Sequence, residues 1–195
     1  MDPANSAVVY VSTAGGGVFK STNGGDTWQE TGLRYYSEIR SLAIDPVRTS
    51  TLYAGGVGTI SKSNDGGDTW TRILTLPRPF RDLALDPELP DTVYVNTDTA
   101  IFKTNDGGIS WSMFHHQLPS DTYFWSLAVA PSPARALYIA ASSGIFRCDL
   151  PEGNCNQVST TLCLRIEFSP GRPGEIFAGT TDAGVLRSRD NGATW

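Results

Sequence analysis

No apolar run in this chain approaches the ~20 residues that a membrane-spanning helix needs. Histidine is nearly absent: His115 and His116 are the two in the chain, and neither stands in a plausible nucleophile arrangement. No zinc-type spacing and no phosphate-binding glycine loop occur, so no metal, no cofactor and no catalytic residue is implied. Positive charge is also in short supply, with 15 Lys and Arg against 20 Asp and Glu for a net charge of −5. That balance argues against a nucleic-acid surface, which needs a basic face to displace phosphate counterions. Low-complexity segments, interdomain linkers and a signal peptide are likewise missing. Aromatics at 10% and charged residues at 18% place the chain among folded domains rather than disordered ones.

What is present is a repeat. Five times a Lys or Arg closes an apolar run and an eight-residue turn follows. The first copy runs from Ser21 through Asn23, Gly25 and Thr27 to Trp28, and the second from Ser63 through Asp65, Gly67 and Thr69 to Trp70. The third runs from Thr104 through Asp106, Gly108 and Ser110 to Trp111, and the fifth from Ser188 through Asp190, Gly192 and Thr194 to Trp195. The fourth, Cys148 to Cys155, has lost the pattern. A unit length of about 40 residues fits four short strands, the signature of a β-propeller blade. Two further columns keep step: Pro3, Pro46, Pro87, Pro131 and Pro170, then Tyr10, Tyr53, Tyr94, Tyr138 and Phe177.

These columns predict an all-β chain of four-stranded antiparallel blades, about five of them, the first lacking its innermost strand. The units fall at approximately 1–37, 38–79, 80–122, 123–161 and 162–195, within one propeller domain or a fragment of one. In the second unit, strand A is expected over 38–45, B over 51–55, C over 59–63 and D over 69–74, by runs of β-formers between turn residues. Strand A carries Ala43, Ala84 and Ala128 on one face, where small residues suit a crowded centre, and Arg165 and Glu167 break that face in the fifth unit. With one A strand fewer than its turns, the chain is expected to be an excerpt from a larger ring, or to have its open blade completed by strand exchange or oligomerisation.

Within the turn, the hydroxyl and the Asn or Asp side chain can bond nearby backbone, and glycine permits positive φ. The Trp is expected to bury its ring between blades, at a cost of about 3 to 5 kcal/mol for truncation to Ala. The turn resembles the Asp-box, or bacterial neuraminidase repeat, Ser-x-Asp-x-Gly-x-Thr-Trp. The second and fifth copies match every fixed position, the first has Asn23 for the Asp, and the third has Thr104 and Ser110 as near-equivalents. This resemblance implies a β-propeller but no single activity. Sialidases, xyloglucanase-like hydrolases, sortilin-type receptor ectodomains and photosystem assembly factors share the repeat.

The residues leave two functions open. One is a noncatalytic module that binds a protein or glycan ligand, with no nucleic-acid partner and no membrane insertion. Its surface would be the D-to-A connections, opposite the turns, with Arg34, Tyr35, Tyr36, Glu38, Arg78, Arg81, His115, His116, Tyr123 and Trp125 as candidates. The other is a piece of an Asp-box glycoside hydrolase. Glu38, Asp82 and Asp121 are carboxylates for that reading, but their spacing does not unite them. The cations before each turn, Lys20, Lys62, Lys103, Arg147 and Arg187, form either a ring for an anionic partner or a set of snorkelling stems with heads in water. Cys148 and Cys155 are placed to staple the degraded hairpin, which would suit a periplasmic or secreted location, while Cys163 shares an apolar column with Ile39, Phe80 and Phe124.

Overall fold

Runs of β-branched and aromatic residues between glycine-rich turns form eighteen short strands and no helix among the described residues. The computed structural model describes the whole chain except residues 34–37, 77, 115–117, 132, 134, 152, 170 and 173. The strands group into five antiparallel sheets in chain order. The first holds β1 (Val9–Thr13), β2 (Gly17–Ser21) and β3 (Gln29–Glu30). The second holds β4 (Ile39–Ile44), β5 (Leu52–Gly56), β6 (Thr59–Ser63) and β7 (Thr71–Thr75). The third holds β8 (Phe80–Leu85), β9 (Val93–Thr97), β10 (Ile101–Thr104) and β11 (Ser112–Met113). The fourth holds β12 (Phe124–Val129), β13 (Ala136–Ala141), β14 (Gly144–Asp149) and β15 (Asn154–Ser159). The fifth holds β16 (Cys163–Phe168), β17 (Ile176–Thr180) and β18 (Val185–Ser188).

Each sheet is a meander in which every strand pairs with its sequence neighbour. The first strands β4, β8, β12 and β16 pack side by side around a common centre, and β1 rests against β4. By its aromatic column β1 is the counterpart of β5, so the first sheet lacks an inner strand among the described residues. The fourth strand begins later than the sequence suggests, at Thr71 rather than Thr69, because the preceding residues are occupied by the turn.

Apolar burial lies between sheets. Four clusters form the core, one in each space between neighbours. Tyr53, Tyr94 and Tyr138 are fully buried there, as are Phe80 and Phe124. Close approach is built into the sequence: a Cβ on Gly55 of β5 would stand 2.1 Å from the Phe80 ring of the next sheet. Cys163 and Ile39 are buried at the same strand position as Phe80 and Phe124. In the fourth sheet Cys148 and Cys155 stand directly opposite each other on β14 and β15 and are joined by a disulfide.

The tryptophans are less buried than expected. Trp28 is 39% exposed, and Trp70, Trp111 and Trp195 are half-buried against the clusters. The Trp70 indole donates to the Gly67 carbonyl at 2.9 Å, whereas the Trp111 and Trp195 indole nitrogens have no hydrogen-bond partner among the described residues. The larger figure for truncation assumed complete burial. Trp70→Ala should therefore lower stability by about 1 to 3 kcal/mol, since part of the side chain is already exposed. Chemical denaturation checks this, and a loss above about 4 kcal/mol would contradict partial burial.

Candidate functional site

The eight-residue turn is a closed hydrogen-bond circuit. Ser63 Oγ donates to Asp65 Oδ1 at 2.8 Å and accepts from the Gly67 amide at 2.9 Å. Asp65 in turn accepts from both the amide and the hydroxyl of Thr69. Thr104, Asp106 and Ser110 repeat the circuit, as do Ser188, Asp190 and Thr194. Asn23 reproduces it with an amide, accepting from the Thr27 amide and donating to the Thr27 hydroxyl. The fourth and fifth turn residues have positive φ, from 57° at Asn191 to 104° at Gly25, which is why glycine predominates there.

That backbone course aims a carbonyl at the preceding sheet. Gly66 O accepts from Tyr10 Oη and from Lys20 Nζ, each at 3.0 Å. Gly107 O accepts from Lys62 Nζ at 3.0 Å, and Asn191 O from Tyr138 Oη at 2.6 Å. The ammonium groups of Lys20, Lys62 and Lys103 stand 5.3 to 5.5 Å from the ring centres of Tyr10, Tyr53 and Tyr94. Lys20 and Lys62 therefore form neither a ring for an external anion nor a set of solvated heads; they tie neighbouring sheets together. Arg147 and Arg187 pair instead with Asp149 and Glu175. On the same side Asp45, fully buried, holds Arg48 at 2.8 Å, and Arg48 reaches Asp91 of the next sheet at 2.7 Å.

The opposite side carries the D-to-A connections and the B-to-C turns, joined by Leu76 N to Gly58 O and Phe124 N to Asp98 O. All four inner strands begin with a β-bulge, between Ile39 and Ser41, Phe80 and Asp82, Phe124 and Ser126, and Cys163 and Arg165. The extra residues are Arg40, Arg81, Trp125 and Leu164, so the bulge sets one column apart at this end of the channel. Arg81 is exposed and has no ion pair or hydrogen bond among the described residues, and Trp125 is half-buried. Tyr123 is 53% exposed beside Ser142. Glu38 is engaged by Arg40, and Arg78 lies 3.7 Å from Asp98. Arg34, Tyr35, Tyr36, His115 and His116 fall outside the described residues. Arg40 was not among the sequence candidates, although its place one residue after the Ile39, Phe80 and Phe124 column marks it.

Between the inner strands lies a cavity of about 380 Å³, lined by Ala43, Ala84, Ala128, their leucine neighbours, Arg165 and Glu167. Asp82 is 1% exposed and accepts from Leu83 N at 3.0 Å, Leu127 N at 3.2 Å and Arg165 Nη1 at 3.1 Å. Arg165 also holds Glu167 through Nε and Nη2. Thus one guanidinium separates and binds both carboxylates. Asp121 is exposed on a connection and Glu38 is spent on Arg40, so the three carboxylates weighed for hydrolysis do not converge as a working pair.

No protein-family model matches this chain, and no curated protein matches it. Solved structures do. The GH74 xyloglucanase from Xanthomonas campestris superposes with a TM-score of 0.80 at 17% identity, over 100% of this chain and 37% of that one. The Niastella koreensis GH74 enzyme gives 0.78 at 20% identity, again over 100% and 37%. YCF48 bound to D1 peptide gives 0.51 at 17% identity, over 98% of this chain and 77% of that one. This chain therefore spans little more than a third of the GH74 proteins it resembles, and at these identities the likeness concerns the fold.

Hydrogen bonds hold the turn carboxylates low. The Thr69 hydroxyl, then the Thr69 amide and the Ser63 hydroxyl, bring Asp65 down to about 2, and Thr194 and Ser188 do the same for Asp190. A depressed carboxyl contributes stability above its unfolded value near 4, and that contribution is lost as pH falls through its folded value. Stability should decline from about pH 4 to about pH 2. Asp65→Asn, built like the natural Asn23 turn, should fold at neutral pH and lose part of that decline; an unchanged pH profile in thermal melts would count against the assignment. Sheets, intersheet cores and solved-structure likeness agree that the chain has a β-propeller fold of about five blades.

Proposed function

We propose that this chain is a noncatalytic binding or scaffolding module of the Asp-box type, taking a protein or glycan ligand on the face of the D-to-A connections. The observation that carries the reading is the commitment of Asp82 and Glu167 to one arginine. A carboxylate fixed by a guanidinium and two backbone amides is a poor general acid or nucleophile. At the same end stand the exposed Arg81 and Tyr123 and the half-buried Trp125, a composition suited to recognition. A neighbour in fold whose structure contains a bound peptide supports a protein ligand. The disulfide supports an oxidising, extracytoplasmic setting.

A second reading keeps the chain as part of a glycoside hydrolase. It is favoured by the higher TM-scores of the GH74 proteins, whose remaining length has no counterpart here. Incubation of the protein with xyloglucan oligosaccharides and with a peptide and glycan array separates the two. We expect binding without turnover, weakened about tenfold or more by Arg81→Ala or Trp125→Ala at unchanged melting temperature, the scale of an interface anchor. Hydrolysis of the oligosaccharides, or binding indifferent to both substitutions, would overturn the proposal.

A further inference from the structure

The chain contains three lysines, and all three occupy one structural position. Lys20 on β2, Lys62 on β6 and Lys103 on β10 each stand over the tyrosine of the neighbouring strand in the same sheet. They form an internal comparison, because the groups that meet the ammonium from the next sheet differ. Lys20 and Lys62 donate to a turn carbonyl of the following sheet at 3.0 Å. The Lys103 ammonium has no hydrogen bond among the described residues, because the following sheet carries the disulfide hairpin where the turn would be. That junction is held instead by Arg135, whose Nη2 lies 2.6 Å from the buried Asp86.

We propose that Lys103 is a covalent modification site, an amine that takes an acyl group from an activated donor such as an acyl phosphate. The neutral nitrogen attacks the acyl carbon and a C–N bond forms. The C–O bond to phosphate breaks, phosphate leaves with the electron pair, and the ammonium proton passes to water. The same reaction at Lys20 or Lys62 would remove the charge and set an acyl group where the nitrogen now meets a turn carbonyl of the next sheet, so the native fold resists it there. At Lys103 no intersheet hydrogen bond is lost. Burial lowers the pKa of Lys103 and of Lys62 alike, so the difference between the two sites lies in the intersheet hydrogen bond.

The test treats the intact chain with limiting acetyl phosphate, in buffer and in urea, and reads each lysine by mass spectrometry of chymotryptic peptides. In buffer, Lys103 should be acetylated about fivefold faster than Lys20 and Lys62, the factor that one ordinary hydrogen bond confers. In urea the three should react alike. Equal or faster acetylation of Lys20 or Lys62 in buffer would overturn the proposal. A second measurement guards against accidental accessibility: Lys103→Gln, which loses only the contact with Tyr94, should melt closer to the parent than Lys62→Gln, which also loses the intersheet hydrogen bond. Equal losses would show that Lys103 ties sheets after all.

Discussion

One carbonyl per turn decides how the blades meet. The fourth residue of the eight-residue turn, held in the left-handed region, presents its oxygen to the preceding sheet: Gly66 O to Tyr10 and Lys20, Gly107 O to Lys62, and Asn191 O to Tyr138. Without the Ser-Asp-Thr circuit the backbone would have no reason to hold that course, and the groups that donate to those carbonyls would lose their acceptor. The turn is therefore less a local hairpin device than a contact between neighbours. The cores between the sheets are apolar and nondirectional, so directional contacts between sheets come from the turn carbonyls and from pairs such as Arg48 with Asp91.

The fourth sheet shows what replaces the clamp when its residues are gone. Cys148 and Cys155 close the hairpin covalently, and Arg135 reaches back to Asp86 to join the sheets. Both substitutions act on the turn side. The channel side is independent of them, because its geometry comes from the bulges at the start of each inner strand. There Arg165 and Glu167, which interrupt the small-residue face, make a charged bridge to Asp82 two sheets away. A residue pair that looks like a packing fault along one strand is a crosslink across the channel.

Strand placement was legible because its signals are local: β-forming runs, paired glycines and a period of about 40 residues. The Tyr and Lys columns were legible as columns but not as contacts, since spacing reveals recurrence and not the partner across a gap. Trp burial was overestimated for a related reason. Sequence shows a large aromatic at a fixed place, but exposure depends on how far the next sheet covers it. The Asp82 to Arg165 pair spans 83 positions and three sheets, beyond any reading of spacing. Arg81 and Trp125 could be named, whereas the bulge that sets them apart with Arg40 is a backbone event without a sequence signature.

The central claim is that the turn of one sheet organises the cation of the sheet before it. A double-mutant cycle between Lys62→Met and Asp106→Ala, measured by denaturant unfolding, tests this most directly, because Lys62 binds the carbonyl of the turn that Asp106 closes. The account predicts a coupling of about 0.5 kcal/mol or more, with the second substitution costing less once the first is made. Strict additivity would mean that the turn serves only its own hairpin.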